Sequence, residues 1–330
     1  MALSEQQFFQ NIFGSNIQNF EHLALQVFHH QIITNSIYSN YCTNIKCNWQ
    51  QIKSLQQIPF LPIGFFKTHQ IICSNIKEQI VFSSSSTTGK GESKHYVSNL
   101  NFYYTSFLNH FEKVFGSTEN YTILGLLPGY LERKNSSLVY MVNSLMQKSN
   151  KPLNGFYLKN FKELYDAICL LEQNNSLYIL FGVTHALLDF SEEFKPKINI
   201  GKIIETGGMK GRKREMIREE LYNILKQNFG LNQIYSEYGM TELLSQAYSF
   251  HNGKYQCAPW MKVFITDIND PFTFLPEGKN GIINVIDLAN LNSCSFIQTE
   301  DIGKLNPDGT FEVLGRIDNS DMRGCSLMAL

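Results

Sequence analysis

Apolar side chains recur every three or four positions between Leu3 and Lys53, at the start of the chain. This period is typical of amphipathic helices that bury one face. Pro59 and Pro62 interrupt the pattern and indicate an irregular segment that leads into the main body. Residues 1–75 are therefore interpreted as a helical lead-in that packs on the core of the protein.

From Gln79 onward, short apolar runs alternate with longer amphipathic stretches. The runs are too short for core helices and are predicted to be buried strands: Ile80–Phe82, Thr122–Leu127, Tyr178–Phe181, Lys202–Glu205 and Gln233–Tyr235. The stretches between them are predicted to be helices: Leu100–Phe115, Ser136–Lys148, Phe161–Asn174 and Arg214–Asn228. Alternating strands and helices predict parallel βαβ units, hence an α/β sheet with helices on both faces. Ligands bind such sheets beyond the carboxyl ends of the strands.

The pattern changes after about Ser245, where proline and glycine separate short β-like runs. Examples of these runs are Met261–Thr266 and Gly281–Asp287. Such punctuation favours a smaller antiparallel or barrel-like lobe. The sequence therefore predicts an α/β core over residues 76–245, followed by a β-rich lobe and a short C-terminal tail over residues 246–330.

Composition and charge narrow the possible functions. With 43% hydrophobic and 17% charged residues, the chain has the composition of a globular protein. Its net charge of −1 creates no field that would attract nucleic acid, so no nucleic-acid partner is expected. No run approaches the roughly 18 apolar residues of a membrane-spanning helix, and the start lacks the pattern of a secretory signal. The seven cysteines show neither a pairing rhythm nor zinc spacing, which favours a reducing cytoplasm.

A run of serine, threonine and glycine follows the predicted strand Ile80–Phe82. Glycine and small residues let backbone N–H groups approach an anion closely, so this run is suited to hold phosphates. The candidate phosphate-binding residues are Ser84, Ser85, Ser86, Thr87, Thr88, Gly89 and Lys90. Lys94 adds a second positive charge. The run is not a Walker A loop, because Gly91 follows Lys90. On composition alone, a solvated serine-rich loop is an equal alternative.

A second polar segment, Tyr238–Glu242, also follows a predicted strand. The Thr241 hydroxyl is suited to bond a phosphate oxygen. The Glu242 carboxylate is suited to ligate Mg²⁺, which prefers carboxylate and phosphate oxygens. The alternative for this segment is a turn from a strand into a helix, with the threonine as the helix cap.

Two further segments lie near the end of the chain. Thr299–Gly303 places the Asp301 carboxylate before a glycine turn, where it is suited to accept hydrogen bonds from ribose hydroxyls. A plain turn that contains an aspartate is the alternative. Gly315–Asp318 supplies another cation, Arg316, and another carboxylate.

Taken in order, these four segments resemble the signatures of the adenylate-forming superfamily of acyl-CoA synthetases, luciferases and peptide-synthetase adenylation domains. Ser84–Gly89 resembles the TSGTTG phosphate loop, with a serine where the first glycine is usual. Tyr238–Glu242 is identical to the YGMTE motif. Thr299–Asp301 resembles TGD with a central glutamate, and Gly315–Asp318 resembles the GRxD hinge. The resemblance implies the large-domain fold of these enzymes, in which layered α/β sheets carry a small β-rich lobe.

Within the superfamily, the chain more closely resembles the LuxE-type acyl-protein synthetases. The similar phrases are Glu205–Gly211, Tyr238–Gln246 and Arg323–Met328. The resemblance implies an adenylating domain that takes a fatty acyl group and transfers it to its own cysteine. Gly207 and Gly208 match the glycine segment that lines the adenine pocket in such enzymes. The adenosine-binding candidates are thus Gly207, Gly208, Tyr238, Gly239, Met240, Asp301 and Arg316.

Most adenylate-forming enzymes continue beyond the GRxD hinge into a small mobile domain that carries a catalytic lysine. Here only fifteen residues follow Gly315, so the chain is expected to lack that domain. Three alternatives follow: adenylation is slow, it recruits another cation such as Lys90, Lys94 or Arg316, or it needs a partner protein.

The acyl acceptor expected from the resemblance is Cys325, close to the end of the chain. Arg323 beside it favours the reactive thiolate. A small buried structural residue is the alternative, since most cysteines are structural. The catalytic candidates are Cys325, Thr241, Glu242 and Lys94.

The predicted function is ATP- and Mg²⁺-dependent activation of a fatty carboxylic acid to acyl-AMP, followed by acyl transfer to a protein cysteine. An acyl-reductase or another acceptor protein is the expected partner. Two alternatives stay open: an acyl-CoA ligase of the phenylacetate type, and a non-enzymatic paralogue that binds acyl groups or nucleotides. Tyr130 and His185 are candidates for the substrate pocket. For His185, a place in a core strand and helix is the stronger alternative.

Overall fold

The computed structural model describes residues 3–14, 19–84, 91–129, 135–158, 160–207, 218–251 and 253–317. The chain forms two compact units. Unit 1 takes in the described residues of Met1–Val81, Ser85–Phe102 and Gln256–Leu330, and unit 2 those of Phe82–Ser84 and Tyr103–Tyr255. None of the described helices combines the length and apolar character that spanning a membrane requires.

The bounds of the described elements are as follows. The α-helices are α1 (Glu5–Phe13), α2 (Phe20–Thr34), α3 (Ser36–Asn44), α4 (Phe65–Thr68), α5 (Leu100–Phe115), α6 (Ser137–Ser149), α7 (Phe161–Gln173), α8 (Thr184–Phe194) and α9 (Arg218–Phe229). The strands are β1 (Leu61–Pro62), β2 (Ile80–Ser83), β3 (Lys94–Val97), β4 (Thr122–Leu126), β5 (Gly155–Phe156), β6 (Tyr178–Val183), β7 (Lys202–Thr206), β8 (Tyr235–Tyr238), β9 (Ala247–His251), β10 (Lys254–Cys257), β11 (Met261–Thr266), β12 (Asn280–Asp287), β13 (Phe296–Leu305) and β14 (Phe311–Arg316).

The sheet of unit 2 carries the parallel order that the sequence predicts. Strands β5, β4, β6, β7 and β8 lie side by side and run parallel, and β9 adds to β8 in the antiparallel direction. Every residue of β4 and of β6 is buried, as expected for strands that are covered on both faces. This arrangement confirms the predicted α/β fold class.

The helices around this sheet match the amphipathic stretches closely. The predicted helices at 100–115, 136–148 and 161–174 correspond to α5, α6 and α7 within one residue at each end. Helix α9 begins at Arg218, and the four residues before it in the predicted stretch lie outside the described part of the chain. Helix α8 follows β6 directly, so residues 180–188 are the end of a core strand and the start of a helix, as the stronger alternative for His185 required.

Unit 1 is built around a second set of strands. Strands β11, β12, β13 and β14 pair in antiparallel order, and β1 lies parallel to β13. This confirms the β-rich character that was predicted for the last part of the chain. Beyond Ser245, the helical structure among the described residues is a single 3₁₀ turn at Leu288–Asn290.

The predicted N-terminal helices are also confirmed, as α1, α2 and α3. Buried hydrogen bonds attach α2 to the strand-rich part of unit 1. The Gln31 side-chain amide, which is fully buried, donates to the carbonyl oxygens of Asn290 and Leu291 at 2.9 and 2.8 Å. A buried amide group without hydrogen-bond partners destabilises the folded state. These bonds therefore favour the position in which α2 packs here.

Candidate active site at the carboxyl ends of strands β7 and β8

Two of the sequence-predicted segments meet where β7 and β8 end. The strands are parallel neighbours, with Glu205 opposite Ser236 and Thr206 opposite Glu237. Gly207 follows β7, and the segment Tyr238–Glu242 begins at the last residue of β8. The carboxyl edge of a parallel sheet is the usual place for a ligand. The structure therefore brings together the predicted adenine-lining glycine and the predicted phosphate-handling segment.

Gly207 turns the chain away from the sheet. Its φ of +80° lies in the left-handed region, which glycine adopts without the steric cost that a Cβ imposes. Its carbonyl oxygen lies 2.9 Å from the Thr184 hydroxyl at the start of α8. The glycine at this position is thus explained by backbone geometry, and its carbonyl group is held by a neighbouring element.

A buried polar network lies on one face of the sheet beside Gly207. Glu205 accepts hydrogen bonds from Thr184 and, at 3.3 Å, from Ser236, whose hydroxyl is also bonded to Tyr222 of α9. Burial raises the pKa of Glu205, while the hydroxyl partners and the charge of Arg218 oppose that rise. These groups link β7, β8, α8 and α9 at the edge where the predicted site residues lie.

Tyr238 lies on the same face as Ser236, because side chains two positions apart in a strand share a face. Its side chain is largely buried, and its ring centre is 5.8 Å from that of Tyr255. Arg218 approaches the other ring of this pair, with its guanidinium carbon 5.3 Å from the centre of Tyr255. The aromatic contact holds Tyr238 in one orientation.

Glu237 points to the opposite face of the sheet, where it accepts a hydrogen bond from Thr206. Burial raises the pKa of this carboxyl group to about 7, and the nearby charge of Glu205 adds to the rise. At neutral pH a large fraction of the Glu237 side chains therefore carries a proton.

The turn after Tyr238 leads into a strand and not into a helix. The N–H of Leu243 donates to the carbonyl oxygen of Met240 at 3.1 Å, and β9 begins at Ala247. The alternative of a threonine that caps a helix is therefore wrong for Thr241. Thr241 is half-buried, and Glu242 is buried at 5% exposure.

Ser84 and Lys94 lie at the ends of two strands, β2 and β3, which form a two-stranded sheet. Ser84 follows β2 directly and is half-buried. Lys94 is the first residue of β3 and is exposed. The remaining candidates of the phosphate loop, Ser85, Ser86, Thr87, Thr88, Gly89 and Lys90, lie outside the described residues.

Asp301 and Arg316 are cross-strand partners in unit 1, on β13 and β14. The prediction of a glycine turn after Asp301 is wrong: β13 continues through Gly303 to Leu305, with only a shift of register after Ile302. The strand continues because its neighbours β12 and β14 pair with it on both sides, an arrangement that a local sequence window does not contain. Arg316 donates to Glu300 at 2.9 Å.

Of the remaining candidates, His185 lies within the described part of the chain. His185 is the second residue of α8 and is half-buried. Tyr130, Gly208 and Cys325 lie outside the described residues. Their predicted roles therefore stay predictions.

Sequence reasoning missed the two buried glutamates, although the chain contains a signal for them. Each lies two residues before a glycine at a strand end, as Glu205–Gly207 and Glu237–Gly239. The spacing is the same, but the register pairs Glu205 with Ser236, so the carboxyl groups occupy opposite faces. A one-residue offset between neighbouring strands has this effect because side chains alternate.

The model of the family described as "Acyl-protein synthetase, LuxE" matches residues 98–329, which is more than half of the chain. The chain belongs to the LuxE acyl-protein synthetase family. The match includes both strand ends at which the candidate site lies. A search of the curated protein sequences finds no match to this LuxE-family chain.

Solved structures with a similar fold include several ligases. An open conformation of 2-hydroxyisobutyryl-CoA ligase in complex with 2-HIB-AMP and CoA matches at 12% identity over 91% of this chain and 70% of its own, with a TM-score of 0.68. ATP-bound MatB from Rhodopseudomonas palustris matches at 16% identity over 72% and 47%, with a TM-score of 0.56. MenE from Bacillus subtilis, in complex with ATP and magnesium ion, matches at 18% identity over 72% and 49%, with a TM-score of 0.51.

These identities are low, so the likeness shows the fold alone. The large-domain fold that the sequence resemblance implies is thereby confirmed for this LuxE-family chain. The chain spans about half the length of the MatB and MenE structures that it matches.

Proposed function

We propose that this chain activates a fatty carboxylic acid with ATP to form an acyl-adenylate, and then passes the acyl group to a protein cysteine. The observation that carries the proposal is the LuxE family match over residues 98–329. The convergence of Gly207 and Tyr238–Glu242 at the carboxyl ends of β7 and β8 supports it, since ligands usually bind beyond this edge of a parallel sheet.

In the first step, the substrate carboxylate attacks the α-phosphorus of ATP. The bond between that phosphorus and the oxygen bridging to the β-phosphate breaks, and pyrophosphate leaves. The chain supplies position and charge stabilisation, which carry most of the catalysis in phosphate-group transfer. Ser84–Lys90, Lys94 and Thr241 are proposed to bind the phosphates. Gly207, Gly208, Tyr238, Gly239, Met240, Asp301 and Arg316 are proposed to bind the adenosine.

Magnesium is proposed as the metal that accompanies ATP. Mg²⁺ commonly takes one or two protein carboxylates and completes its shell with phosphate oxygens and water. The described residues contain no cluster of three or more acidic, histidine or cysteine ligands, but this mode of binding does not need one. Glu242 is the proposed carboxylate, with Thr241 as a neighbouring oxygen donor. When bound, the metal neutralises charge on the phosphates.

In the second step, a thiolate attacks the carbonyl carbon of the acyl-adenylate. A thioester bond forms, the bond from the carbonyl carbon to the phosphate oxygen breaks, and AMP leaves with the electron pair. Cys325 is the proposed thiol, and its proton passes to solvent. Tyr130 and His185 are proposed to contact the acyl chain, and an acyl-reductase or other acceptor protein is the proposed partner.

We place this chemistry in the cytoplasm. The described cysteines, Cys42, Cys47, Cys73, Cys169, Cys257 and Cys294, are all free thiols. Free thiols are usual in a reducing compartment.

Acid-dependent exchange of pyrophosphate into ATP tests the first step. The purified chain is incubated with ATP, Mg²⁺, labelled pyrophosphate and a panel of carboxylic acids from acetate to palmitate. Exchange that is strongest with the long chains supports the proposal. Exchange only with short or aromatic acids contradicts the fatty substrate. Absence of exchange with every acid would favour a non-enzymatic role.

Covalent labelling tests the second step. With ATP and a labelled fatty acid, the wild-type chain is expected to retain label through denaturation and to lose it in neutral hydroxylamine, as a thioester does. Cys325→Ala is expected to retain no label, whereas Cys169→Ala, which removes a half-buried thiol of α7, labels as the wild type. Equal labelling of Cys325→Ala would exclude this nucleophile. Label that moves instead to free CoA would identify an acyl-CoA ligase.

A further inference from the structure

Gly239 in the segment Tyr238–Glu242 has a neighbouring side chain in the space where a Cβ of its own would lie. Unlike Gly207, it does not have a φ in the left-handed region. A Cβ added at this position would overlap the Oε1 atom of Glu237, and it would lie 3.5 Å from Cγ of Gln246. The carboxyl group of Glu237 therefore occupies the space that a side chain at position 239 would need.

The Glu237 carboxyl group is held in that space from several directions. Thr206 on the neighbouring strand donates a hydrogen bond to its Oε2 atom. Tyr248 is its cross-strand partner on β9. Burial, and then the nearby charge of Glu237, raises the pKa of both Tyr103 and Tyr248. The side chain of Glu237 is buried, with an exposure of only 8%.

These contacts hold Glu237 directly before Tyr238–Glu242, the segment to which the proposed function assigns nucleotide, phosphate and metal binding. Glu237 and Gly239 share one face of β8 and its extension, because they are two positions apart. Tyr238 between them points to the other face, towards Tyr255. The path of the main chain from Tyr238 to Glu242 is thus bounded on one face by the Glu237 carboxyl group and on the other by the tyrosine pair.

We propose that Glu237 is a positioning residue whose carboxyl group fills the space beneath Gly239 and so sets the main chain of Tyr238–Glu242 for adenylation. The catalytic part of this inference rests on the proposed function. Its structural part, the mutual requirement of Glu237 and Gly239, stands independently of any activity.

A double-mutant cycle tests the structural part through the urea midpoint of unfolding. Gly239→Ala is expected to lower the midpoint clearly in the wild-type background, and by less than half as much in a Glu237→Ala background, because truncation vacates the space. Gly201→Ala is the matched control, since its Cβ would overlap the ring of Tyr178 instead. Gly201→Ala is expected to lower the urea midpoint by the same amount in both backgrounds. If Gly239→Ala also lowers the midpoint equally in both backgrounds, the inference is wrong.

Exchange kinetics test the catalytic part. Glu237→Ala is expected to lower kcat for pyrophosphate exchange at least about tenfold, since small displacements of positioning groups have large effects on rate. Glu237→Gln, which keeps the shape, is expected to restore kcat to within about threefold of wild type. Both variants are assayed at urea concentrations well below their midpoints of unfolding. A kcat for Glu237→Ala equal to that of wild type would refute the positioning role.

The two failures are distinguishable. If the wild-type chain shows no exchange with any acid, the proposed function fails and the catalytic part of this inference fails with it. The double-mutant cycle then still decides whether Glu237 is what requires glycine at position 239. If exchange occurs but the cycle is additive, the proposed function stands and the inference about Glu237 is wrong.

Discussion

The hydroxyl group of Thr184 lies between the carboxyl group of Glu205 and the carbonyl oxygen of Gly207, and it contacts both. A hydroxyl group carries one proton and can donate only once. It therefore donates to one of the two oxygen atoms at a time, the carboxyl oxygen of Glu205 or the carbonyl oxygen of Gly207. Burial raises the pKa of Glu205, and the hydrogen bond from Thr184 opposes that rise. The end of β7 is thereby tied to the first residue of α8.

Thr184→Val is expected to destabilise the fold, because it leaves a buried carboxyl group and a carbonyl group without their partner. The expected loss in free energy of unfolding is about 1–3 kcal/mol. Thr184→Ser, which keeps the hydroxyl, is the control and is expected to lose less than half of that. Urea unfolding measures both. If the valine variant is as stable as the wild type, the hydroxyl bridge contributes nothing.

The stability of the protein is expected to decrease as the pH rises from 5 to 8. Burial raises the pKa of Glu237 from an ordinary 4.5 to about 7, so in this range the folded state binds more protons than the unfolded state. The stabilising contribution is complete below the unfolded value and is lost as the pH rises through the folded value. The ionisable groups around Glu237 are Glu205, Tyr103 and Tyr248.

Glu237→Gln provides the control for this pH dependence, because the amide does not titrate. Its free energy of unfolding, measured by urea titration at half-unit steps of pH, is expected to change less between pH 5 and 8 than that of the wild type. Identical slopes in the two proteins would show that Glu237 ionises in the folded state as it does in solvent.

Tyr238→Ala is expected to raise the KM for ATP in the exchange assay by about tenfold, because it removes the aromatic surface proposed to contact the adenosine. Tyr238→Phe keeps the ring and its contact with Tyr255, so its KM is expected to stay within about threefold of wild type. An unchanged KM in the alanine variant would remove Tyr238 from the proposed nucleotide site.

Arg316→Ala is expected to lower exchange activity without a comparable loss of stability. The Arg316–Glu300 ion pair is exposed, with side-chain exposures of 44% and 32%, and pairs of this kind contribute about 0–1 kcal/mol. Glu300→Gln removes the same pair but keeps the arginine, and it is the matched control. If both variants lose activity equally, the ion pair and not the arginine itself is what matters.

The sequence predicted much of the fold because local periodicity carries that information. Helix α5 has the predicted bounds, Leu100–Phe115, since its apolar residues repeat along one face. The strand before Tyr238 was predicted at Gln233–Tyr235 but lies at Tyr235–Tyr238. Strand ends depend on the pairing of β8 with β7 and β9, which involves residues far away in the sequence.

The candidate site, like the fold, could be predicted from the sequence only in part. Tyr238–Glu242 was identified from its residue types alone, and the structure places it at a strand edge. For Glu237, directly before it, the local sequence shows only the two-residue spacing to Gly239, which does not by itself indicate burial. Charged residues are usually exposed, so only the pairing of β8 with β7 and β9 and the burial of the side chain reveal a largely buried carboxyl group.

The sequence by itself determined the class of fold, the order of strands and helices, and the position of the motifs, because these follow from periodicity and residue type. Only the tertiary structure decided that Glu205 and Glu237 lie on opposite faces, that Asp301 lies within a strand, and that the carboxyl group of Glu237 fills the space beside Gly239. The physical reason is that register, side-chain direction and free space are set by the elements that pack around a residue.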